Sequence, residues 1–320
     1  MKKAIKKGIR TVAPMALGVF FIWYSFSKFS TQELEELWMN IKNVNVIWVI
    51  LSFLMGLLSH LSRAYRWKFL LEPIQIVPKF YNSFFSLMLG YLANLGIPRS
   101  GEVLRGATLA SYENVKFEKT FGTIITERLV DLVMLLSIVG MASLSQSEKI
   151  FDFFKNQNIN PFFGGIVILS FILALVLGFR LIKFSKVPFF QKLKKFIEDL
   201  FNGMKSVFSM KKKLYFIMHT FIIWGLYVGM FYVLKFAFPE TKTLGVEATL
   251  AAFVFGAFAM SVTNGGIGLY PIAIGIAFST FGVSVATGEA FGWVMWGTQT
   301  ALVILLGGLS FLILPFINKR

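Results

Sequence analysis

Long apolar segments alternate with short polar ones along the whole chain, and the apolar segments carry few charges. Several of them approach the ~20 residues that a helix needs to cross a hydrocarbon core. Six such runs lie at about residues 11–29, 45–62, 120–143, 162–182, 214–237 and 289–314. The pattern predicts an all-α polytopic membrane protein with about six transmembrane helices.

Two further apolar stretches, 80–112 and 247–284, are interrupted near their middles by glycine and proline. Irregular backbone at membrane depth is tolerated only where protein or water surrounds it. We therefore expect two re-entrant helical hairpins. A hairpin over 80–112 that enters and leaves on the cytoplasmic side keeps Lys116 and Lys119 in the cytoplasm, whereas 247–284 would enter from outside.

This assignment divides the chain into two repeats, about 1–145 and 160–320, within a single membrane domain spanning 1–320. Each half reads helix, helix, hairpin, helix, so its three crossings make the second half inverted relative to the first. The breaks are alike in sequence, Asn94-Leu-Gly-Ile-Pro and Asn264-Gly-Gly-Ile-Gly. Both termini are predicted to be cytoplasmic. Glu289 corresponds to Glu127 by position only, and the alternative is that Glu289 lies at the external surface.

Charge supports a membrane location rather than nucleic-acid binding. The net charge is +16, but only 15% of residues are charged and the mean hydropathy is +0.69. The lysines flank apolar segments, as the positive-inside pattern requires. Segment 183–213 is strongly basic and carries apolar residues at helical spacing, which predicts a cytoplasmic amphipathic helix lying on an anionic leaflet. The link 30–44 is acidic and is predicted to be external.

The residue types exclude several kinds of chemistry. There is no cysteine and there are only two histidines, so no thiolate or histidine-based metal site, metal cofactor or catalytic triad is expected. No G-x-x-x-x-G-K-[ST] loop for ATP occurs. No catalytic constellation stands out, and we expect neither a cofactor nor enzymatic activity.

Ionisable residues near the helix breaks, together with Asn94, Asn264 and Gly266 in the breaks themselves, form the candidate site. Placing one ionisable side chain at the centre of a membrane costs ~2.5–3.5 kcal/mol of insertion free energy, so each of these side chains needs a partner or a water-filled cavity. The functional interpretation is a binding site, and the alternative is internal ion pairs, such as Arg105 with Asp131, that only hold the bundle together. The candidates are Asn94, Arg99, Glu102, Arg105, Glu127, Arg128, Asp131, Asn264 and Gly266.

A second group, Arg63-Ala-Tyr-Arg66-Trp67-Lys68, ends the second predicted helix. An Arg/Trp/Lys cluster is typical of a cytoplasmic membrane interface, where the aromatic ring lies at headgroup level. We include Arg63 and Arg66 among the candidate substrate-binding residues. The alternative is a simple positive-inside anchor.

These motifs, in this order, resemble those of the flippase-like membrane domain of bacterial lysylphosphatidylglycerol synthases. The motifs are Arg63-Ala-Tyr-Arg-Trp, Asn94 to Arg105, Glu127-Arg-Leu-Val-Asp and Asn264-Gly-Gly-Ile-Gly. The resemblance covers nearly the whole chain. It implies an integral membrane protein with re-entrant helices which, in the best-understood members, flips aminoacylated phospholipids.

Two departures from the family pattern are visible. The family's second glycine motif usually begins with proline and is followed by a glutamate three residues on, where this chain has Asn264 and Pro271. The difference affects the chemistry expected at the second hairpin. The soluble aminoacyl-transferase domain of the bifunctional members is absent from the 320 residues, so we expect a stand-alone member.

The resulting prediction is lipid translocation or handling in the bacterial inner membrane. The partner would be an anionic or modified phospholipid or a polyprenyl-phosphate lipid, because guanidinium groups match phosphate with paired hydrogen bonds. One alternative is a non-transporting partner of a glycosyltransferase or envelope-assembly complex. Another is a membrane-embedded headgroup enzyme with Glu127 and Asp131 as acid and base. A second copy of the chain is a further candidate partner, and nucleic acid is not.

Overall fold

The computed structural model describes residues 19–146, 187, 191 and 210–318, and the described residues form helices and turns without strands. Two compact units are present, residues 1–127 together with 212–320, and residues 128–211. Predicted helix four and nearly all of the basic segment 183–213 lie outside the described residues. The all-α membrane class is confirmed.

Nine α-helices have defined bounds within the described residues. They are α1 (Thr31–Lys42), α2 (Val46–Leu71), α3 (Phe80–Gly96), α4 (Gly101–Glu113), α5 (Phe117–Ser145), α6 (Lys213–Leu234), α7 (Val246–Val262), α8 (Leu269–Ser279) and α9 (Val285–Ile317). Residues 19–27 are also helical and belong to predicted helix one. Helix α5 begins in the first unit and continues into the second.

Within the described ranges, three helices are long and apolar enough to cross a membrane, and each corresponds to a predicted span. They are α2 with the following turn (Val46–Ile74), α6 with its following turn (Lys213–Ala237), and α9 (Val285–Ile317). The prediction ended the second helix at residue 62, but α2 continues to Leu71 and carries Arg63 and Arg66 within its helical body.

Side-chain contacts fix the relative directions of these three helices. Met55 packs on Gly229, and Arg66 donates a hydrogen bond to the Thr220 hydroxyl. Because the later residue of α2 contacts the earlier residue of α6, these two helices are antiparallel. Ser52 contacts Met295 and Gly56 contacts Gln299, so α2 and α9 run in the same direction. These directions agree with the predicted order of inward and outward crossings.

The acidic link predicted over 30–44 contains a helix, α1. Ser30 and Glu33 form a capping box, because the Ser30 side chain accepts the Glu33 N–H and the Glu33 carboxylate accepts the Ser30 N–H. The backbone and side-chain hydrogen bonds from Ser30 lower the pKa of Glu33 below its ordinary value, since they favour the charged carboxylate. This helix was not predicted from the sequence, although the Ser-x-x-Glu spacing is a signal that could have indicated it.

Candidate functional site

The first interrupted segment is a closed helical hairpin formed by α3 and α4. At its tip, the Asn94 side chain accepts the Gly101 N–H at 2.7 Å, and thereby satisfies a free donor at the start of α4. At its base, the Glu113 carboxylate accepts a hydrogen bond from the backbone N–H of Lys79 at 2.9 Å and one from the side-chain amide of Asn82 at 2.8 Å. Because both ends of the segment meet at the base, the chain enters and leaves on one side.

The second interrupted segment, α7 and α8, has the same form. Gly256 of α7 lies against Tyr270 and Ile274 of α8, and the break between the helices contains Gly265, Gly266 and Gly268 at positive φ. Only glycine adopts that conformation at little cost, which explains the sequence of the break. Gly266 is buried within the turn.

The two hairpin tips meet. The side-chain amide of Asn264, in the second tip, donates to the Leu95 carbonyl at the end of α3 with a distance of 2.7 Å. This bond satisfies one of the carbonyls that a helix end leaves free. Trp296 of α9 donates to the Gly265 carbonyl at 2.8 Å and so fixes the second tip from the side.

Helix α9 shows that the hairpins enter from opposite ends of the bundle. Its first turn contacts the segments that flank the second hairpin, with Thr287 donating to Glu240 at 2.8 Å. Its end contacts the base of the first hairpin, where Asn318 donates to Asn82 at 2.7 Å. The 33 residues of α9 extend over ~50 Å, with the tips meeting beside its middle. This is the opposed arrangement that the inverted repeat predicts.

A buried charge cluster joins the first hairpin to α2 and α5. Glu127 has no exposed surface. Its carboxylate accepts hydrogen bonds from both terminal nitrogens of Arg105, each at 3.0 Å. It also forms ion pairs with Arg63 at 3.0 Å and with Arg66 at 3.5 Å. Paired hydrogen bonds of this kind are the strongest that arginine makes with a carboxylate. Arg105 is thus in an internal ion pair, but its partner is Glu127, whereas the sequence alternative named Asp131.

Trp67 completes this cluster from within the protein. The Arg105 guanidinium lies 3.9 Å from the centre of the Trp67 ring, and the indole N–H donates to Thr123 at 2.8 Å. Trp67 has no exposed surface, so its ring packs inside the protein and not against lipid headgroups. Arg63 and Arg66 are likewise buried inside the protein, because α2 turns them toward Glu127. Sequence pattern alone does not reveal which face of a charged helix end is covered.

The remaining candidates are dispersed. Arg99 stands at the first tip, exposed and with φ 60°, and makes no ion pair with any residue in the described part of the chain. Glu102 is half-buried one turn further on. In the second unit, Arg128 and the buried Asp131 form a pair at 3.6 Å along α5. Asn94 and Asn264 act as helix caps, one of the two roles open to them from sequence.

A second buried acid, Glu289 in α9, was only weakly indicated by the sequence. Its carboxylate lies 2.6 Å from the Lys28 ammonium and 2.5 Å from the Ser25 hydroxyl. The partners are supplied by residues 25–28 at the end of the first predicted helix, a pairing that no spacing in the sequence predicts. No group of three or more metal-ligating side chains occurs among the described residues.

Two hairpins that enter a helical bundle from opposite ends, with touching tips and buried ion pairs, define a membrane protein organised around interrupted helices. The family model for the lysylphosphatidylglycerol synthase TM region matches residues 11–307. The chain therefore belongs to that family, and the resemblance stated from its motifs is confirmed.

One curated relative is the UPF0104 membrane protein MJ1595 of Methanocaldococcus jannaschii, which is 29% identical over 97 residues. The match covers 29% of this chain and 29% of the relative. The aligned part is thus under a third of that protein's length. No solved structure matches the chain.

Proposed function

We propose that this protein translocates or handles a phosphate-bearing lipid, an anionic or modified phospholipid or a polyprenyl-phosphate lipid, in the inner membrane of a bacterium. The observation that carries the proposal is the meeting of two opposed hairpin tips beside an exposed arginine, Arg99. Interrupted helices that meet from opposite sides are the usual architecture of a substrate site with alternating access. Family membership supports the lipid class.

The tip region supplies the binding chemistry in this proposal. Arg99 presents a guanidinium whose planar donors match two phosphate oxygens. It lies beside the break before α4, and Ile97 in the same turn is 57% exposed. An apolar surface next to a cation suits a lipid, whose phosphate and acyl chain need different surroundings. Glu102, one turn away, would contact a positively charged group of the lipid headgroup or orient Arg99.

In this proposal the buried cluster around Glu127 holds the first hairpin in place and does not contact the lipid. Both terminal nitrogens of Arg105 are occupied by Glu127, so substrate could reach them only by breaking a buried ion pair. We therefore assign Arg63, Arg66 and Arg105 the role of holding the first hairpin on α2 and α5. The tips, by contrast, are joined by single hydrogen bonds worth ~0.5–1.5 kcal/mol each. They are the parts that separate when a headgroup passes.

The test is lipid movement in proteoliposomes. Fluorescent phosphatidylglycerol would be reconstituted with the wild type, with Arg99→Gln and with Lys242→Gln, a matched loss of one exposed cation outside the hairpins. We expect a loss of at least ~tenfold in rate for Arg99→Gln only, since one charge-assisted contact is worth about that factor.

Equal rates for wild type and Arg99→Gln would remove Arg99 from the mechanism. No movement of any phosphate-bearing lipid by folded wild-type protein would overturn translocation. A stoichiometric envelope-assembly partner recovered with that inactive protein would then favour the non-transporting alternative. We propose no catalytic step for the protein.

A further inference from the structure

A small pocket lies between α2 and the segment that leads into α3. Its volume is about 130 Å³, enough for several water molecules, and it is lined by Ala64, Tyr65, Lys68, Pro78, Phe80 and Ser83. The α2 residues that line it lie on the opposite face of the helix from Arg63 and Arg66. The pocket is therefore separate from the buried cluster around Glu127.

Ser83 gives the pocket an unused polar group. The residue is 2% exposed, and its hydroxyl oxygen has no hydrogen-bond partner among the described residues. A buried hydroxyl in that condition is unfavourable, because folding removes its water without replacing the hydrogen bond. A ligand that accepts a hydrogen bond in the pocket would correct this deficit.

Lys68 makes the pocket electropositive. Its ammonium lies 3.6 Å from the Glu72 carboxylate, but Glu72 is closer to Lys212, at 3.0 Å. Lys68 and Lys212 thus share one carboxylate, so the three side chains together carry a net charge of +1. Lysine binds phosphate as a flexible point charge, and it can do so here while remaining near Glu72.

The rings at the pocket indicate its depth in the membrane. Tyr65 is 43% exposed and Phe80 is 46% exposed, and both line the pocket. Exposed aromatic residues beside a lysine are typical of the membrane–water interface, where the headgroups lie. The predicted topology puts this end of α2 on the cytoplasmic side. A lipid phosphate at that depth needs no deep insertion to reach Lys68 and Ser83.

We propose that the pocket between Lys68 and Ser83 is a second lipid site, which binds the phosphate of a headgroup at the membrane surface. The ammonium supplies charge, the Ser83 hydroxyl donates a hydrogen bond, and the flanking rings contact the acyl region. This site does not require translocation by the hairpin tips.

The experiment measures binding of short-chain phosphatidylglycerol to the purified full chain by calorimetry, in the Arg99→Gln background so that the tip site is weakened. Glycerol phosphate is the second probe, since it carries the same phosphate without acyl chains. We expect about tenfold weaker lipid binding for Lys68→Gln and at least about threefold weaker binding for Ser83→Ala. Lys242→Gln, which removes an exposed lysine outside both the pocket and the basic segment 183–213, should bind like its parent within about twofold.

Lipid binding that depends on the two pocket residues supports the proposal. Competition by glycerol phosphate would show that the phosphate is enough for binding, and its absence would show that the acyl chains contribute. Binding of glycerol phosphate alone would overturn a lipid occupant. Unchanged lipid binding in both pocket variants would overturn the site. Ser83→Ala also separates ligand binding from folding, because removal of an unpartnered buried hydroxyl should leave the Tm unchanged or raise it. A clear fall in Tm would mean that Ser83 has a structural role instead.

Discussion

The two buried glutamates, Glu127 and Glu289, occupy comparable places in the two halves but are neutralised in different ways. Each lies in the long helix that follows a hairpin and contacts the second arm of that hairpin. Glu127 faces Arg105, whereas Glu289 packs on Gly275, where a Cβ would be only 2.7 Å from its Cγ. Arg105 and Gly275 both stand eleven residues after the asparagine of their tip. The second half has glycine where the first has arginine.

The partners show what this difference does. Glu127 is held by rigid guanidiniums inside the protein, and one of them belongs to the first hairpin. Glu289 is held by Lys28, whose side chain is 28% exposed, and by Ser25, neither of which belongs to a hairpin. The first hairpin is thus fixed to the bundle by charge, while the second is fixed by packing and by tip hydrogen bonds. An ammonium with access to water is also the easier of the two cations to release.

The largest expected effect is on Glu127. Glu127→Gln keeps the shape of the side chain but leaves three buried arginines without its charge, and breaking a buried pair in this way costs ~3–5 kcal/mol. We expect a loss of that size in the free energy of unfolding, measured by reversible denaturation in mixed micelles. Glu118→Gln, an exposed change in the same helix, is the control and should lie within ~0.5 kcal/mol of the wild type. A loss below ~1 kcal/mol for Glu127→Gln would mean that the cluster does not hold the hairpin.

The next largest effect tests the close contact within the first hairpin. A Cβ on Gly101 would collide with the Gly90 carbonyl and with Asn94, whereas a Cβ on Gly96 would meet nothing within 4 Å. Gly101→Ala should therefore cost ~1–3 kcal/mol as overpacking, and Gly96→Ala should be close to neutral. Thermal unfolding of the two variants in one detergent compares them directly. Equal Tm values would show that the arms of the hairpin are not closely packed.

Much of this architecture follows from the sequence. The broken apolar stretches predicted both hairpins, because Gly and Pro interrupt helices for local steric reasons. Their opposed entry was predicted from the charge balance of the loops, which sets the side on which each segment begins and ends. The spans that became α6 and α9 were predicted within four residues at each end, since apolar length is set by the membrane itself.

The partners of the charged residues were not predictable in the same way. Arg63 and Arg66 were expected at an interface because nothing local distinguishes a snorkelling arginine from one buried against a distant acid. Their partner lies more than sixty positions away in sequence, on another helix. The pairing of Lys28 with Glu289 depends likewise on long-range packing. Helix α1 was also missed, but for a different reason, because its Ser30–Glu33 capping box is a local signal that the prediction did not use.

A third prediction compares the second glutamate with the first. Glu289→Gln removes the charged partner of Lys28, but Lys28 retains access to water and the new side-chain amide would still accept the Ser25 hydroxyl. We expect a cost of ~1–2 kcal/mol, clearly smaller than for Glu127→Gln, by the same denaturation in mixed micelles. Lys42→Gln, an exposed change at the end of α1, is the control. Equal losses for the two glutamate variants would show that the arginine cluster holds its acid no more firmly than Lys28 does.

The smallest expected effect on stability concerns the contact between the tips. Asn264→Ala removes the hydrogen bond to the Leu95 carbonyl, which is partly exposed, so the cost should be ~1 kcal/mol. Because that bond joins the two hairpins, its loss should raise hydrogen exchange at residues 95–101 while exchange near Glu127 stays unchanged. Ser261→Ala is the matched control, since it removes an exposed hydroxyl near the second tip, bonded only within its own helix, and leaves the contact between the tips in place. If Asn264→Ala changes exchange only in its own hairpin, the tips are held together by packing, and their separation would need more than the loss of single hydrogen bonds.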